Sequence, residues 1–296
     1  MADILPAPTN FFRVPGRRLA LSTLQKSSDT TLIFVHGLGG NRQQWRLQWE
    51  HFSQENVNLI AWDAYGHGDS ARSHHEQAFV SSYAVQDLAA ILKAYPSSKR
   101  ILVAHSFGCR VTLEWVAGLL QAEQAVPIDE LILLGPASLA PSLKGPMFGN
   151  WMDLLPFWLS SLARPFLQKR FEALAWASTV DPNLLKAERK ATKRNSLFMI
   201  NAVRAGAQSI DHDVLRQFGK PVHILAGQQD GIVPLEEIKK LQSLMTGSSQ
   251  NILSECGHQI MLEQPANVNC CIESALNHLS SGPAQPFGAR KLAELN

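Results

Sequence analysis

The sequence predicts an α/β fold: a mostly parallel central sheet covered by helices on both faces, with one long helical insertion between sheet strands. Three observations predict it. Apolar runs of strand length alternate with helical stretches, the pattern of parallel strands joined by crossover helices. Glycine-rich turns with polar residues follow the strand runs, so they fall at the carboxyl ends, where such sheets bind ligands. Between Gly135 and Pro221 the alternation stops for about 85 residues, too many for a structureless loop in a compact domain.

Taken in order, Phe11–Val14 and Arg18–Leu24 flank the turn dipeptide Pro15-Gly16 and predict an opening hairpin. Thr31–His36 is the first buried strand, followed by a glycine-rich exit and a helical stretch over Gln43–Gln54. Val57–Trp62 predicts a strand and Ser81–Ala94 a helix. Ile101–Ala104 is a strand that turns sharply at His105-Ser106-Phe107-Gly108 into a further helix, and Glu130–Leu134 is the next strand. The long insertion has helical periodicity broken by Pro141, Pro146, Pro156, Pro165 and Pro182. Strands resume at Pro221–Ala226 and Asn251–Cys256. A helix over Asn267–Leu279 closes the domain, and residues 281–296 are expected to form a mobile tail.

Composition narrows the function. A 45% hydrophobic content supports a sizeable core, and a net charge of +2 gives no reason to invoke nucleic acid. Residues 1–12 carry neither a positive leader nor a long apolar run, and no stretch reaches the length of a membrane span. Cys109, Cys256, Cys270 and Cys271 have neither a metal spacing nor a disulfide framework, so a reducing cytoplasm, with no metal and no cofactor, is the expectation.

The chemistry centres on Ala104-His105-Ser106-Phe107-Gly108, a small-x-Ser-x-Gly turn between strand and helix. A serine on so tight a turn crowds the residues two places either side, which must therefore be small. A serine nucleophile needs a general base, and the base needs an orienting acid. His258 follows the last predicted strand, and imidazole is the side-chain type suited to taking and returning a proton near neutral pH. Asp230 follows the preceding strand in Gly227-Gln228-Gln229-Asp230. Asp211 and Asp213 compete by composition but precede their strand, at the wrong end of the sheet. The chain order is thus Ser106, Asp230, His258.

These features resemble the α/β-hydrolase family over roughly residues 11–279. Matching pieces are His36-Gly37-Leu38-Gly39, Asp63-Ala64-Tyr65-Gly66-His67-Gly68-Asp69-Ser70, the serine turn, Gly227-x-x-Asp230-x-x-x-Pro234 and Gly257-His258. The resemblance implies a core of residues 1–135 and 217–280, with residues 136–216 as a helical lid. It implies a catalytic triad of Ser106, Asp230 and His258, and an oxyanion hole from the backbone N–H groups of Leu38 and Phe107. His36 and the Asp63–Gly68 turn are expected to order loops, and Cys109 to be a small buried hydrophobe. His105, Trp151 and Trp158 are candidate pocket residues.

The activity implied is a cofactor-free serine hydrolase of carboxylesterase or lipase type, cleaving an ester or thioester of an apolar acyl group. A C–C bond hydrolase or lyase can use the same triad, and a non-catalytic binding protein on the fold is a further alternative. Dehalogenase and epoxide hydrolase chemistry is disfavoured, because their nucleophile is an aspartate. The lid carries eleven Lys and Arg against six Asp and Glu, together with many aromatics. Its Lys186–Arg194 segment could touch an anionic membrane, but a solvated helix face is the favoured reading.

Overall fold

A computed structural model describes residues 10–137 and 157–281, with the backbone alone at 157–165 and 281. The hairpin is β1 (Asn10–Val14) and β2 (Arg17–Leu24), turned at Gly16 with φ +73°. β3 (Thr30–Val35) leads through a 3-10 turn (Arg42–Trp45) into α1 (Arg46–Phe52). β4 (Asn58–Trp62) is followed by a second 3-10 turn (Glu76–Phe79) and α2 (Ser81–Ala94). β5 (Lys99–His105) runs into α3 (Phe107–Gln121), and β6 (Glu130–Leu134) comes next. The described part of the insertion holds α4 (Phe157–Ala175), α5 (Pro182–Thr192), α6 (Leu197–Ala205) and the one-turn α7 (His212–Leu215). β7 (Val222–Gly227), α8 (Leu235–Leu244), β8 (Ser249–Leu253), the short α9 (Ile260–Glu263) and α10 (Pro265–Ser281) follow.

The eight strands form one sheet in the order β1-β2-β4-β3-β5-β6-β7-β8. β1 and β2 are antiparallel, and every pairing from β4 to β8 is parallel. Alternate strand residues serve opposite faces. Ile33, Leu102, Leu131 and Ile224 join α2, α3 and α8 in one core cluster, whereas Leu32, Phe34, Ile101, Val103 and Ile132 join α1 and α10 in the other. Burial on both faces is why these strands read as unbroken apolar runs.

Several boundaries differ from the sequence expectation. The helix predicted over 43–54 is divided, because Asn41 caps a 3-10 turn before α1 begins. The last strand starts at Ser249 and stops at Leu253, and the chain then turns through Glu255 at φ +50°. Pro165 lies inside α4, where it removes one main-chain donor without ending the helix. Pro182 does act as a boundary: it opens α5, with Asp181 capping. α8 was not anticipated.

The insertion's described helices are built into the core. Ala175 and Trp176 belong to the α1/α10 cluster, and Met199, Ala202 and Val203 of α6 pack with Phe79, Phe107 and Val111. Phe171 is half-buried, and Phe166 is exposed. Trp151 lies outside the described residues, and Trp158 is placed on α4 by its backbone only.

α3 packs its first turn directly on the end of β3. A Cβ on Gly108 would stand 2.5 Å from the Val35 carbonyl oxygen and 2.7 Å from that of His36. Backbone cannot retreat as a side chain can. Gly108→Ala should therefore lower stability by about 1–3 kcal/mol, read as a reduced urea midpoint; an unchanged midpoint would show that α3 has room to shift.

Candidate active site

Ser106 joins β5 to α3 with φ +50° and ψ −116°, a backbone conformation that costs a non-glycine residue on the order of 1–3 kcal/mol. Its neighbours hold it there. The Ser106 N–H donates to the Leu134 carbonyl (2.9 Å), and its own carbonyl accepts from the Cys109 N–H (3.0 Å).

His258 reaches Ser106 from the far side of the sheet. Its Nε2 lies 2.8 Å from Ser106 Oγ, and its Nδ1 lies 2.7 Å from Asp230 Oδ2. A carboxylate only accepts, so Nδ1 carries the proton and Nε2 is left to accept from the serine hydroxyl. Asp230 Oδ1 accepts from the Ile232 and Val233 N–H groups (2.8 and 2.9 Å), which fixes the carboxylate in the turn after β7. The Asp230 and His258 side chains are both buried. Gly135, at φ +49°, leaves them room: a Cβ there would meet His258 Nδ1 at 3.1 Å and Asp230 Oδ2 at 3.4 Å. This set can pass a proton from hydroxyl to imidazole while the carboxylate stabilises the resulting cation.

The structure thus brings Ser106, Asp230 and His258 together. Asp211 instead caps α7, accepting from the Asp213 N–H, and Asp213 pairs with Arg216. Phe107 is the first residue of α3, where helix geometry leaves N–H groups without an internal acceptor. Gly37 packs against Ser106, since a Cβ on it would lie 3.1 Å from Ser106 Cβ; Leu38 is therefore next to the serine turn.

His105 is fully buried beneath His258. Its Nε2 donates to the His258 carbonyl (2.9 Å), the two ring centres are 4.8 Å apart, and among the described residues its Nδ1 has no partner. It is absent from the lining of the apolar cavity described below. Burial, reinforced by His258, holds its imidazole well below the usual value and hence neutral. The Cys109 thiol donates to the Ala104 carbonyl, and burial pushes its pKa strongly up, so it is a small buried group without thiolate character.

Two further histidines order the loops. His36 Nδ1 donates to the Gly37 carbonyl (2.8 Å) while its Nε2 accepts from the Ala64 N–H (2.9 Å). His67 Nδ1 donates to the Tyr65 carbonyl and its Nε2 accepts from the Gly39 N–H (3.3 Å). Burial brings His36 down to about 4 and His67 to about 3. The buried Asp63 accepts from the Arg42 and Asp69 N–H groups and pairs with the Arg42 guanidinium, joining the loops after β3 and β4.

Sequence reasoning missed other supports. Glu263 accepts from the N–H groups of Ala177 (2.7 Å), Gly257 (3.2 Å) and Gln259 (3.1 Å), organising the His258 loop. Gln44 accepts from the Gly37 N–H and donates to Gln259, bridging the serine and histidine sides. The insertion grips the same loops: the His258 N–H donates to Ala175, and the Gly231 N–H to Leu174 (both 2.8 Å). A lone acid in the apolar run Ile260–Glu263 was the one available signal.

Beside Leu38 and Phe107 lies a cavity of about 50 Å³, walled by Tyr65, Phe79, Val111 and Val203, with Ser81 and Asp87 also in its lining. Burial raises Asp87 to about 6 against the pull of Arg17. Among the described residues, no three His, Cys, Asp or Glu side chains stand close enough to hold a metal ion.

A model of the alpha/beta hydrolase family matches residues 32–269. The chain belongs to the alpha/beta hydrolase family. Protein ABHD8 of Bos taurus is 28% identical over 254 residues, covering 84% of this chain and 56% of that protein, so the chain spans little more than half of that relative's length. The 2-hydroxy-6-oxo-2,4-heptadienoate hydrolase of Pseudomonas putida is 26% identical over 246 residues, 79% of this chain and 84% of that one. Among solved structures, an esterase from Exiguobacterium antarcticum superposes with a TM-score of 0.75 at 19% identity, covering 94% of this chain and all of its own. A thermophilic esterase from Thermogutta terrifontis does so at 0.74 and 20%, covering 90% and 96%. At these identities the structural likeness is one of fold.

The two loop histidines make a pH prediction. Their folded values lie below the unfolded value of about 6.5, so the unfolded chain takes up protons that the folded chain refuses. Each ring should therefore remove about 1.4 kcal/mol of stability per pH unit as pH falls from about 6 towards 4. His67→Gln keeps an acceptor for Gly39 and cannot titrate. Urea unfolding at pH 6 and pH 5 should show a shallower loss in that variant; an identical loss would mean that His67 is charged in the native state.

Proposed function

We propose that this alpha/beta hydrolase is a serine hydrolase that cleaves a carboxylic ester or thioester of an apolar acyl group through an acyl-enzyme on Ser106. The observation that carries this reading is the relay Asp230–His258–Ser106, with hydrogen-bond lengths of 2.7 and 2.8 Å.

In the proposed reaction His258 Nε2 takes the hydroxyl proton as Ser106 Oγ attacks the carbonyl carbon. The N–H groups of Leu38 and Phe107 receive the resulting oxyanion. Collapse breaks the bond to the leaving group, which takes the proton from His258 and departs as alcohol or thiol. Water, deprotonated by the same imidazole, then releases the acid and restores Ser106. The leaving group must face His258 to be protonated, so the acyl chain runs the other way, past Leu38 and Phe107. The cavity on that side has an apolar wall, which favours an apolar acyl group.

The substrate class remains broader than esters in one respect. The Pseudomonas putida relative's name gives a C–C bond hydrolase, so cleavage of a vinylogous diketone by the same triad is the second reading. No nucleic acid or cofactor enters either mechanism. Four free thiols support a cytoplasmic placement, and among the described residues no helix is long and apolar enough to cross a membrane. Membrane contact through the insertion is not favoured, since Glu188 pairs with Arg46, Arg189 with Glu172 and Arg194 with Asp69.

A panel of p-nitrophenyl esters from acetyl to palmitoyl tests the proposal, alongside a diketone dienoate. Turnover of at least one ester of the panel is the expected result, and its chain-length profile reads how long an acyl group the site accepts. Ser106→Ala should reduce that turnover by a factor on the order of 10⁴ or more and abolish fluorophosphonate labelling. Asp230→Asn should cost about 10⁴ as well, through the wrong tautomer, while Asp211→Asn should cost little. Full activity in Ser106→Ala would end the serine reading, and diketone cleavage without ester cleavage would favour the second.

A further inference from the structure

The oxyanion loop, Gly37 to Asn41, has an engineering problem. The Leu38 N–H can serve only if its peptide plane is still, yet three of the five residues are glycines, and Gly39 stands at φ +76°. Glycine backbone is the most mobile there is. The Leu38 N–H shares its plane with the Gly37 carbonyl, which accepts from the Gly40 N–H (3.1 Å) and from His36 Nδ1. Whatever fixes Gly40 therefore fixes the Leu38 N–H.

That group comes from the insertion. Asn195, buried between α5 and α6, directs its side-chain amide at both glycine carbonyls: Nδ2 donates to Gly39 O (2.6 Å) and to Gly40 O (2.9 Å). Its Oδ1 accepts from the Gly68 N–H (3.1 Å), so one amide ties the loop after β3 to the loop after β4. The amide is the side chain suited to this, with two N–H donors and an acceptor on one short planar group. The attachment is reinforced on either side. Asn41 Nδ2 donates to the Ala191 carbonyl (2.9 Å), and Arg194 pairs with Asp69, which also pairs with Arg42. A Cβ on Gly40 would lie 2.4 Å from the end of the Gln44 side chain and would have to displace the group that accepts from the Gly37 N–H. The further stiffening arrives from about 155 residues away.

We propose that Asn195 is a positioning residue that holds the Gly39 and Gly40 carbonyls so that the Leu38 N–H stays aimed at the oxyanion, making the insertion part of the catalytic apparatus. The proposal rests on the serine hydrolase reading given above. It requires that loss of Asn195 weaken transition-state binding and leave substrate binding nearly untouched.

Asn195→Asp is the informative variant. It keeps size and the acceptor for Gly68, but replaces both donors with a carboxylate oxygen facing two carbonyls. With short-chain p-nitrophenyl esters, kcat should fall about 10- to 100-fold while KM stays within about threefold, because a displaced donor is worth less than the 10²–10³ of a deleted one. Affinity for a trifluoromethyl ketone, which mimics the tetrahedral oxyanion, should fall by a similar factor. Asn195→Ser, which keeps one donor in a smaller side chain, should lie between wild type and Asn195→Asp; it also serves if the aspartate variant does not fold. Circular dichroism establishes that each variant tested is native. A folded Asn195→Asp or Asn195→Ser with wild-type kcat and ketone affinity would overturn the proposal, as would a loss confined to KM. Failure of the underlying reading looks different: wild-type enzyme would then resist fluorophosphonate, and Ser106→Ala would retain ester turnover.

Discussion

The backbone of Ser106, at φ +50° and ψ −116°, is the constraint around which the carboxyl edge of the sheet is arranged. Left alone, such a conformation would relax. It persists because Gly108 lets α3 lie against the β3 carbonyls, because Leu134 on the next strand accepts the Ser106 N–H, and because Gly37 lets the β3 exit loop close over the serine Cβ. The strain has a chemical use: it lifts the hydroxyl out of the strand and turns it towards Nε2 of His258. Stability stored in two core clusters is thus converted into the placement of one oxygen atom.

Around that atom the ionisable groups are kept in defined states by burial and by fixed partners. His36, His67 and His105 are held neutral, and His258 has a carboxylate behind it to stabilise the charge it would acquire in turnover. The uncharged His105 ring, 4.8 Å from that of His258, would add no like-charge repulsion to such a step. The insertion contributes main-chain carbonyls on one side, at Leu174 and Ala175, and the Asn195 amide on the other. A rigid hinged flap would have to break all of these to swing open.

Much of this was legible in the sequence, and the division has a physical cause. Local features were readable: the strands as apolar runs, α2 and β6 to the residue, the serine turn from its small flanking residues, and the order of the three polar groups, each just beyond a strand. Asp230 could be preferred to Asp211 because direction along a parallel sheet is fixed by chain order. Long-range side-chain pairings were not readable. Asn195, Gln44, Gln259 and Glu263 are ordinary polar residues in ordinary surroundings until the fold sets each against a partner far away in the chain. The last strand was displaced for a similar reason, since Glu255 takes a left-handed turn that no composition rule assigns to a glutamate.

The spacing at Gly135 bears on how such a protein can change over evolutionary time. A methyl group there would press on both members of the His258–Asp230 bond, and Gly37, Gly108, Gly227 and Gly257 are similarly hemmed in by main chain or by the serine turn. The positions nearest the chemistry therefore have almost no mutational freedom. Phe79, Val111 and Val203, which wall the cavity, meet neighbours through side chains that can repack. New substrate preference in this lineage would have to be acquired at the walls, with the centre inherited unchanged.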